Sequence, residues 1–166
     1  MQLFVATNKV FTFNEKDIWS LFHSYSFDFS VWEIFGALLY GGKLVIPRHD
    51  QIKDLYLFYE LCKSKEITVI SITPSVFYLF SNILLNKIGQ DKLNKLRYVI
   101  FGGDVLNFAY LKSWFNIYGD KTPQLVNMYG ITETTIHATY KFMKIDEIYD
   151  GSLIGRMLQG QLGYIL

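Results

Sequence analysis

The chain has little cysteine, little histidine and almost no net charge, and each shortage closes off a class of function. The single cysteine, Cys62, cannot form an internal disulfide. In a helical-looking segment it reads as a small buried apolar residue of a reducing compartment. The three histidines, His23, His49 and His137, are scattered, so no pair has the spacing of a metal site. Sixteen Lys and Arg balance fifteen Asp and Glu to a formal charge of +1. There is no basic field for nucleic acid and no acidic one for cationic partners. The apolar stretch 31–46 is broken by Glu33, Gly41, Gly42 and Lys43, and residues 1–9 lack the charged start and apolar run of a signal peptide. A soluble, cytoplasmic protein with no nucleic-acid and no membrane partner is expected. Also missing are a Ser-His-Asp arrangement, a G-x-x-x-x-G-K-S/T loop and a G-x-G-x-x-G turn.

What is present is apolar and patterned. At 51% hydrophobic and 17% aromatic, 166 residues can bury one good core, which argues for one domain or part of one. Short apolar runs alternate with longer amphipathic ones, the pattern of an α/β fold in which helices cover a sheet. Strands are predicted at 43–46, 67–72, 97–101 and 124–128, and helices at 31–40, 51–65, 75–85 and 108–118. Strands joined by helical crossovers run parallel, and ligands collect at the carboxyl ends of such strands. Three turns then crowd into one crevice: Thr73-Pro74-Ser75, Gly102-Gly103-Asp104 and Tyr129-Gly130-Ile131-Thr132-Glu133.

Each turn carries two readings. Gly102-Gly103 either lets backbone lie against a flat ligand or simply makes a tight turn. Glu133 either supplies the one carboxylate that magnesium needs beside substrate phosphates, or sits in the first turn of a short helix capped by Thr132. Asp28, between Phe27 and Phe29, either meets a cation or caps a helix starting near Val31. A cation about 4 Å away at an effective dielectric near 20 would be held by roughly 4 kcal/mol. His137, in the strand-like run 135–139, reads as a core histidine whose place four residues after Glu133 also suits a pocket.

Several stretches in order make the chain resemble an adenylation domain of nonribosomal peptide synthetases, in the adenylate-forming enzyme superfamily. Leu3-Phe4-Val5-Ala6-Thr7 resembles the segment after the family's phosphate loop, and Phe27-Asp28-Phe29-Ser30-Val31-Trp32-Glu33 matches the FDxSVWE region. Phe101-Gly102-Gly103-Asp104-Val105-Leu106 resembles the FGGEAL turn with Asp104 for Glu. Asn127-Met128-Tyr129-Gly130-Ile131-Thr132-Glu133-Thr134-Thr135 resembles NxYGPTETT with Ile131 for proline, and Ile154-Gly155-Arg156 resembles IGRP with Met157 for proline.

The resemblance implies a layered, mostly parallel sheet with flanking helices, an incomplete piece of the large N-terminal subdomain, so that residues 1–166 form a partial adenylation domain. It implies that Asn127, Tyr129, Gly130, Gly102, Gly103 and Asp104 face ATP, that Thr132 and Glu133 meet the α-phosphate, and that Glu133 binds Mg2+. The amino acid pocket falls on Asp28, Phe29, Trp32, Ser71, Ile100, Gly102, Met128, Ile136 and His137, a set similar to that for threonine, with Ser71 where Asn is usual. Partners would be an amino acid, a peptidyl carrier protein bearing phosphopantetheine, and other synthetase domains. The phosphate loop with its lysine, the ribose-binding aspartate and the C-terminal domain with the catalytic lysine are not found in the chain. Little activity and uncovered strand edges are therefore expected of the chain alone. Two alternatives are a noncatalytic remnant or split-gene piece, and an acyl-CoA synthetase relative, the latter disfavoured because its substrate has no ammonium group to meet Asp28.

Overall fold

A computed structural model describes residues 2–86, 92–147 and 151–164. Seven strands form one sheet: β1 Ile18–Ser20, β2 Lys43–Val45, β3 Val69–Ile72, β4 Tyr98–Phe101, β5 Gln124–Tyr129, β6 Thr139–Phe142 and β7 Arg156–Met157. Their order is β2-β1-β3-β4-β5-β6-β7; the first five strands are parallel and the last two antiparallel. Among the described residues six α-helices accompany them: α1 Gln2–Thr7, α2 Phe29–Leu38, α3 His49–Lys53, α4 Leu55–Ser64, α5 Pro74–Asn86 and α6 Lys112–Tyr118.

The central strands are apolar at nearly every position because both faces are covered. Alternate residues go to opposite sides. Ile70, Ile72, Val99, Phe101 and Leu125 face a core completed by Phe58 of α4, Phe77 and Phe80 of α5, and Trp114 and Phe115 of α6. Val69, Ile100, Val126 and Met128 face a second core with Trp19, Phe29, Trp32 and the N-terminal aromatics Phe4, Phe11 and Phe13. Trp32 and Trp19 cross edge to face at 5.8 Å, and Gly36 makes room for them: a Cβ there would lie 2.4 Å from the Trp19 ring.

The predicted mostly parallel sheet with flanking helices is present, and the four predicted strands correspond to β2, β3, β4 and β5. Three local readings change. The helix expected over 51–65 is two, because Asp54 turns extended and its carboxylate accepts from the backbone N–H of Tyr56 and Leu57, capping α4. The helix expected over 108–118 opens as a 3-10 turn, Phe108–Leu111, before α6. The strand expected over 135–139 is a loop: Thr135 and Ile136 are left-handed, at φ 64 and 69, and β6 starts only at Thr139. Among the described residues no helix is long and apolar enough to cross a membrane. The outer face of α1 and α2 is open, with Val5, Phe35 and Leu38 exposed.

Candidate functional site

β3, β4 and β5 end side by side, so the turns that follow them meet. Thr73, Gly103 and the 130–133 segment line one crevice there. Two cavities of about 540 Å3 each adjoin, sharing Gly103, Gly130 and Ile131. One holds Asp28, Phe29, Thr132, Glu133, Ile136 and His137. The other holds Asp104, Asn127, Met128 and Tyr129.

The wall between them depends on glycine. A Cβ on Gly130 would lie 2.3 Å from the Ile136 carbonyl, so the outgoing and returning limbs of the β5–β6 loop press backbone on backbone. That closeness pushes Thr135 and Ile136 into the left-handed region, a strained place for a β-branched residue. A Cβ on Gly102 would lie 3.0 Å from the Phe29 ring and 3.3 Å from the His137 ring; its absence lets both rings close over the end of β4.

Asp28 precedes α2 but does not cap it: its backbone is helical and its side chain makes no cap bond. Instead its Oδ2 accepts a 2.7 Å hydrogen bond from Thr132 Oγ1 across the cavity. It is half-buried, with Phe27 turned outward and Phe29 inward, so the expected apolar surroundings lie on one side only. Glu133 is exposed beside it in a one-turn 3-10 helix, Thr132–Thr134. Thr132 does not cap that turn either, since the cap position falls on Ile131.

His137 is buried, stands edge-on to Phe29 and Trp32 at 5.1 Å from each, and has an Nε2 with no hydrogen-bond partner. Burial, and then the nearby His23, push its pKa down to about 3, so it is neutral near pH 7. Ser71 is buried on β3 with an Oγ that likewise has no partner. Trp32, Ser71, Ile100, Gly102 and Met128, expected in the amino acid pocket, are buried and do not line that cavity; Met128 lines the other, and Gly102 lines neither. Asn127 is buried, and its Nδ2 donates to the Leu153 carbonyl at 2.9 Å. Asp104 Oδ1 accepts from the Val105 N–H, and Tyr129 is half exposed.

Sequence reading left His23 and Phe27 out of the site, although both line the Asp28 cavity, where Thr73 of the predicted crevice also lies. For His23 a signal existed: Glu33 lies among apolar residues of a helix, and a carboxylate so placed requires a partner. No Lys or Arg lines either cavity, and among the described residues there is no cluster of three His, Cys, Asp or Glu that could hold a metal. Glu133 alone fits a metal shared with phosphate oxygens, not one caged by protein.

The whole chain, residues 1–166, matches the AMP-binding enzyme family model. It is 48% identical over 139 residues to a dimodular nonribosomal peptide synthase of Bacillus subtilis (strain 168), covering 84% of this chain and 6% of that one. Among solved structures it is similar to the Vibrio cholerae adenylation domain AlmE in complex with glycyl-adenosine-5'-phosphate: TM-score 0.80, 24% identity, 94% of this chain and 28% of that. It is also similar to a nonribosomal peptide synthetase protein containing adenylation and PCP domains: TM-score 0.74, 25% identity, 88% of this chain and 24% of that. The chain belongs to the AMP-binding enzyme family. Within it, the likenesses mark a piece of an adenylation domain of the nonribosomal peptide synthetase kind. It spans 26% or less of the length of the curated relatives it matches.

Proposed function

We propose that residues 1–166 are the part of an adenylation domain that holds an amino acid against ATP, within a larger cytoplasmic synthetase. The amino acid carboxylate attacks the α-phosphorus, the bond to the departing pyrophosphate breaks, and an aminoacyl adenylate forms. A phosphopantetheine thiol on a peptidyl carrier protein then takes the aminoacyl group, and AMP leaves. The observation that carries this reading is the pair of adjoining cavities: one is lined by Asp28, Glu133 and two imidazoles, the other by a flat aromatic and an amide, and they meet at Gly103, Gly130 and Ile131.

Asp28 suits a substrate ammonium group, because its Oδ2 is positioned by Thr132 while its other oxygen is left for a cation. Gly103, Asn127 and Tyr129 suit an adenine, with Asp104 at the rim. Thr132 and Glu133, beside the junction, suit the α-phosphate and Mg2+. With no cationic side chain in either lining, the charge of the phosphates falls to that metal and to groups outside these linings. The work here is positioning and charge neutralisation, with no side-chain nucleophile.

Threonine is the favoured substrate. Phe29 and Ile136 supply apolar surface for a methyl group, and His137 lines the same cavity with its Nε2 buried and unpartnered. A site that pairs a hydroxyl rejects analogues lacking it strongly, whereas a methyl is worth only about 1 to 3 kcal/mol. The test is amino-acid-dependent exchange of labelled pyrophosphate into ATP by the synthetase carrying this chain. Exchange should be greatest with threonine, somewhat lower with serine and far lower with valine. Equal exchange with valine would remove threonine, and exchange with an aryl or fatty acid alone would remove amino acid activation. The peptide synthetases among the relatives support this reading over an acyl-CoA synthetase or an inert remnant.

A further inference from the structure

Thr132 follows Ile131, one of the residues the two cavities share, and its hydroxyl does nothing for its own turn. Thr134 ties that turn instead. Its Oγ1 donates to the Ile131 carbonyl at 2.9 Å and accepts from the Ile131 N–H at 3.0 Å, and its own N–H donates to the same carbonyl at 2.9 Å. Thr132 Oγ1 caps nothing and reaches Asp28 Oδ2, 104 residues earlier in the chain, at 2.7 Å. Asp28 and Glu133 line that cavity together, and no Lys or Arg joins them. The bond across the cavity therefore links the carboxylate suited to an ammonium group with the hydroxyl suited to a phosphate.

A hydroxyl has one hydrogen to give and two lone pairs with which to accept. When Thr132 meets a phosphate, that phosphate competes with Asp28 for the single hydrogen, and it does so beside two carboxylates of its own sign. An ammonium group reverses both disadvantages. It brings three donors and a positive charge. Asp28 Oδ2 and Thr132 Oγ1 are close enough for one ammonium group to touch both, donating to the carboxylate and to a lone pair of the hydroxyl. The hydroxyl then turns its hydrogen toward the phosphate, and the proton never leaves Oγ1. Hydrogen bonds chained in this way polarise and strengthen one another. We propose that Thr132 is a positioning residue that couples the two substrates, its hydroxyl bond passing from Asp28 to the α-phosphate as the ammonium group takes Asp28. Each substrate then tightens the other, and by the same factor, since such coupling is reciprocal. The inference rests on the amino-acid-activating reading and deepens it.

The test uses the synthetase carrying this chain and the amino alcohol of whichever amino acid exchanges best, threoninol on the reading above. An amino alcohol keeps the ammonium group and lacks the carboxylate, so it binds beside MgATP without reacting. Calorimetric titration gives the Kd of the amino alcohol with and without saturating MgATP, and that of the nucleotide with and without the amino alcohol. In the wild type each should tighten the other about tenfold. Thr132→Val, with a methyl group in place of the hydroxyl, should bring the factor to about twofold or less, while Thr132→Ser should keep it. A merely structural Thr132 would lower the unfolding midpoint, or weaken both ligands alike, and leave the factor alone. Thr132→Ala should behave as the valine variant does, and it decides if that variant does not fold. Ligands that bind the wild type independently, or a factor undiminished without the hydroxyl, overturn the coupling and leave amino acid activation standing. A wild type that exchanges with no amino acid overturns both readings.

Discussion

At the amino ends of the parallel strands, Asp17 is buried and fully engaged. It accepts from Arg97 Nη1 at 2.5 Å, Thr68 Oγ1 at 2.8 Å and the Asn14 N–H at 3.0 Å, while Arg97 Nη2 also donates to the Thr12 carbonyl and hydroxyl. At the carboxyl ends, fewer than twenty ångströms of strand away by the usual rise per residue, Ser71 Oγ, His23 Nε2 and His137 Nε2 are buried with no partner. One sheet thus carries a closed polar network at one end and an open one at the other. A satisfied network rigidifies and an unsatisfied one costs free energy, so the first end belongs to the fold, while the second, beside the two cavities, carries polar groups that the fold leaves unpaired. The strain at Thr135 and Ile136 falls at the open end, where function tolerates it.

Changes at the two ends should therefore be felt in different assays. The largest effect is expected from Arg97→Met, which leaves the Asp17 charge buried without its cation and should cost about 3 kcal/mol in denaturant unfolding. The threonine-to-valine preference of the surviving folded enzyme should stay as in the wild type; a changed preference would merge the two ends. Next comes Gly130→Ala, whose Cβ cannot coexist with the Ile136 carbonyl as placed. A displacement of this loop by about 1 Å should lower exchange about a hundredfold, with a much smaller change in unfolding.

His137→Phe sharpens the contrast further. Removing a partnerless polar atom while keeping the ring should change stability near neutral pH by less than about 1 kcal/mol. The pH dependence carries the sign. Because the folded pKa of His137 is depressed to about 3 from an ordinary 6.5, its contribution is whole above pH 6.5 and is lost as pH falls toward 3. The slope is up to about 1.4 kcal/mol per pH unit. Glu33 works in the opposite sense, since burial pushes its carboxyl up against the hydrogen bond from His23. Only the difference between wild type and His137→Phe isolates the histidine, and that difference should grow as the solution is acidified. Smaller than the acid-pH effect of His137→Phe is that expected from Thr135→Gly: relieving an exposed left-handed threonine should raise stability by about 1 kcal/mol, read as a higher unfolding midpoint.

The sequence was most legible where burial was greatest. β3, β4 and β5 have apolar residues on both faces, so their runs stand out, and the turns after them had to converge. β1 was not legible, being three residues with one tryptophan, and β7 has only two residues, both exposed. Asp54 within the 51–65 run could have been read as a cap, because a short acceptor side chain competes with helix continuation. Thr132 and Glu133 stood out in the turn after a strand and Asp28 by its aromatic flanks, and the structure brings the three to one cavity. His23 escaped because its meaning lies in Glu33, ten residues on and on another element. The left-handed Thr135-Ile136 pair escaped because Gly130 forces it through backbone contact, and β-branched residues ordinarily signal extension.

The most direct test of the division between the two ends is a titration of the synthetase carrying this chain with a non-hydrolysable threonyl adenylate, following histidine imidazole and arginine guanidinium nitrogen resonances. The Nε2 signals of His23 and His137 should move on saturation while the Arg97 signals stay fixed. Unmoved imidazoles in a saturated complex, or a shift confined to Arg97, would contradict the account.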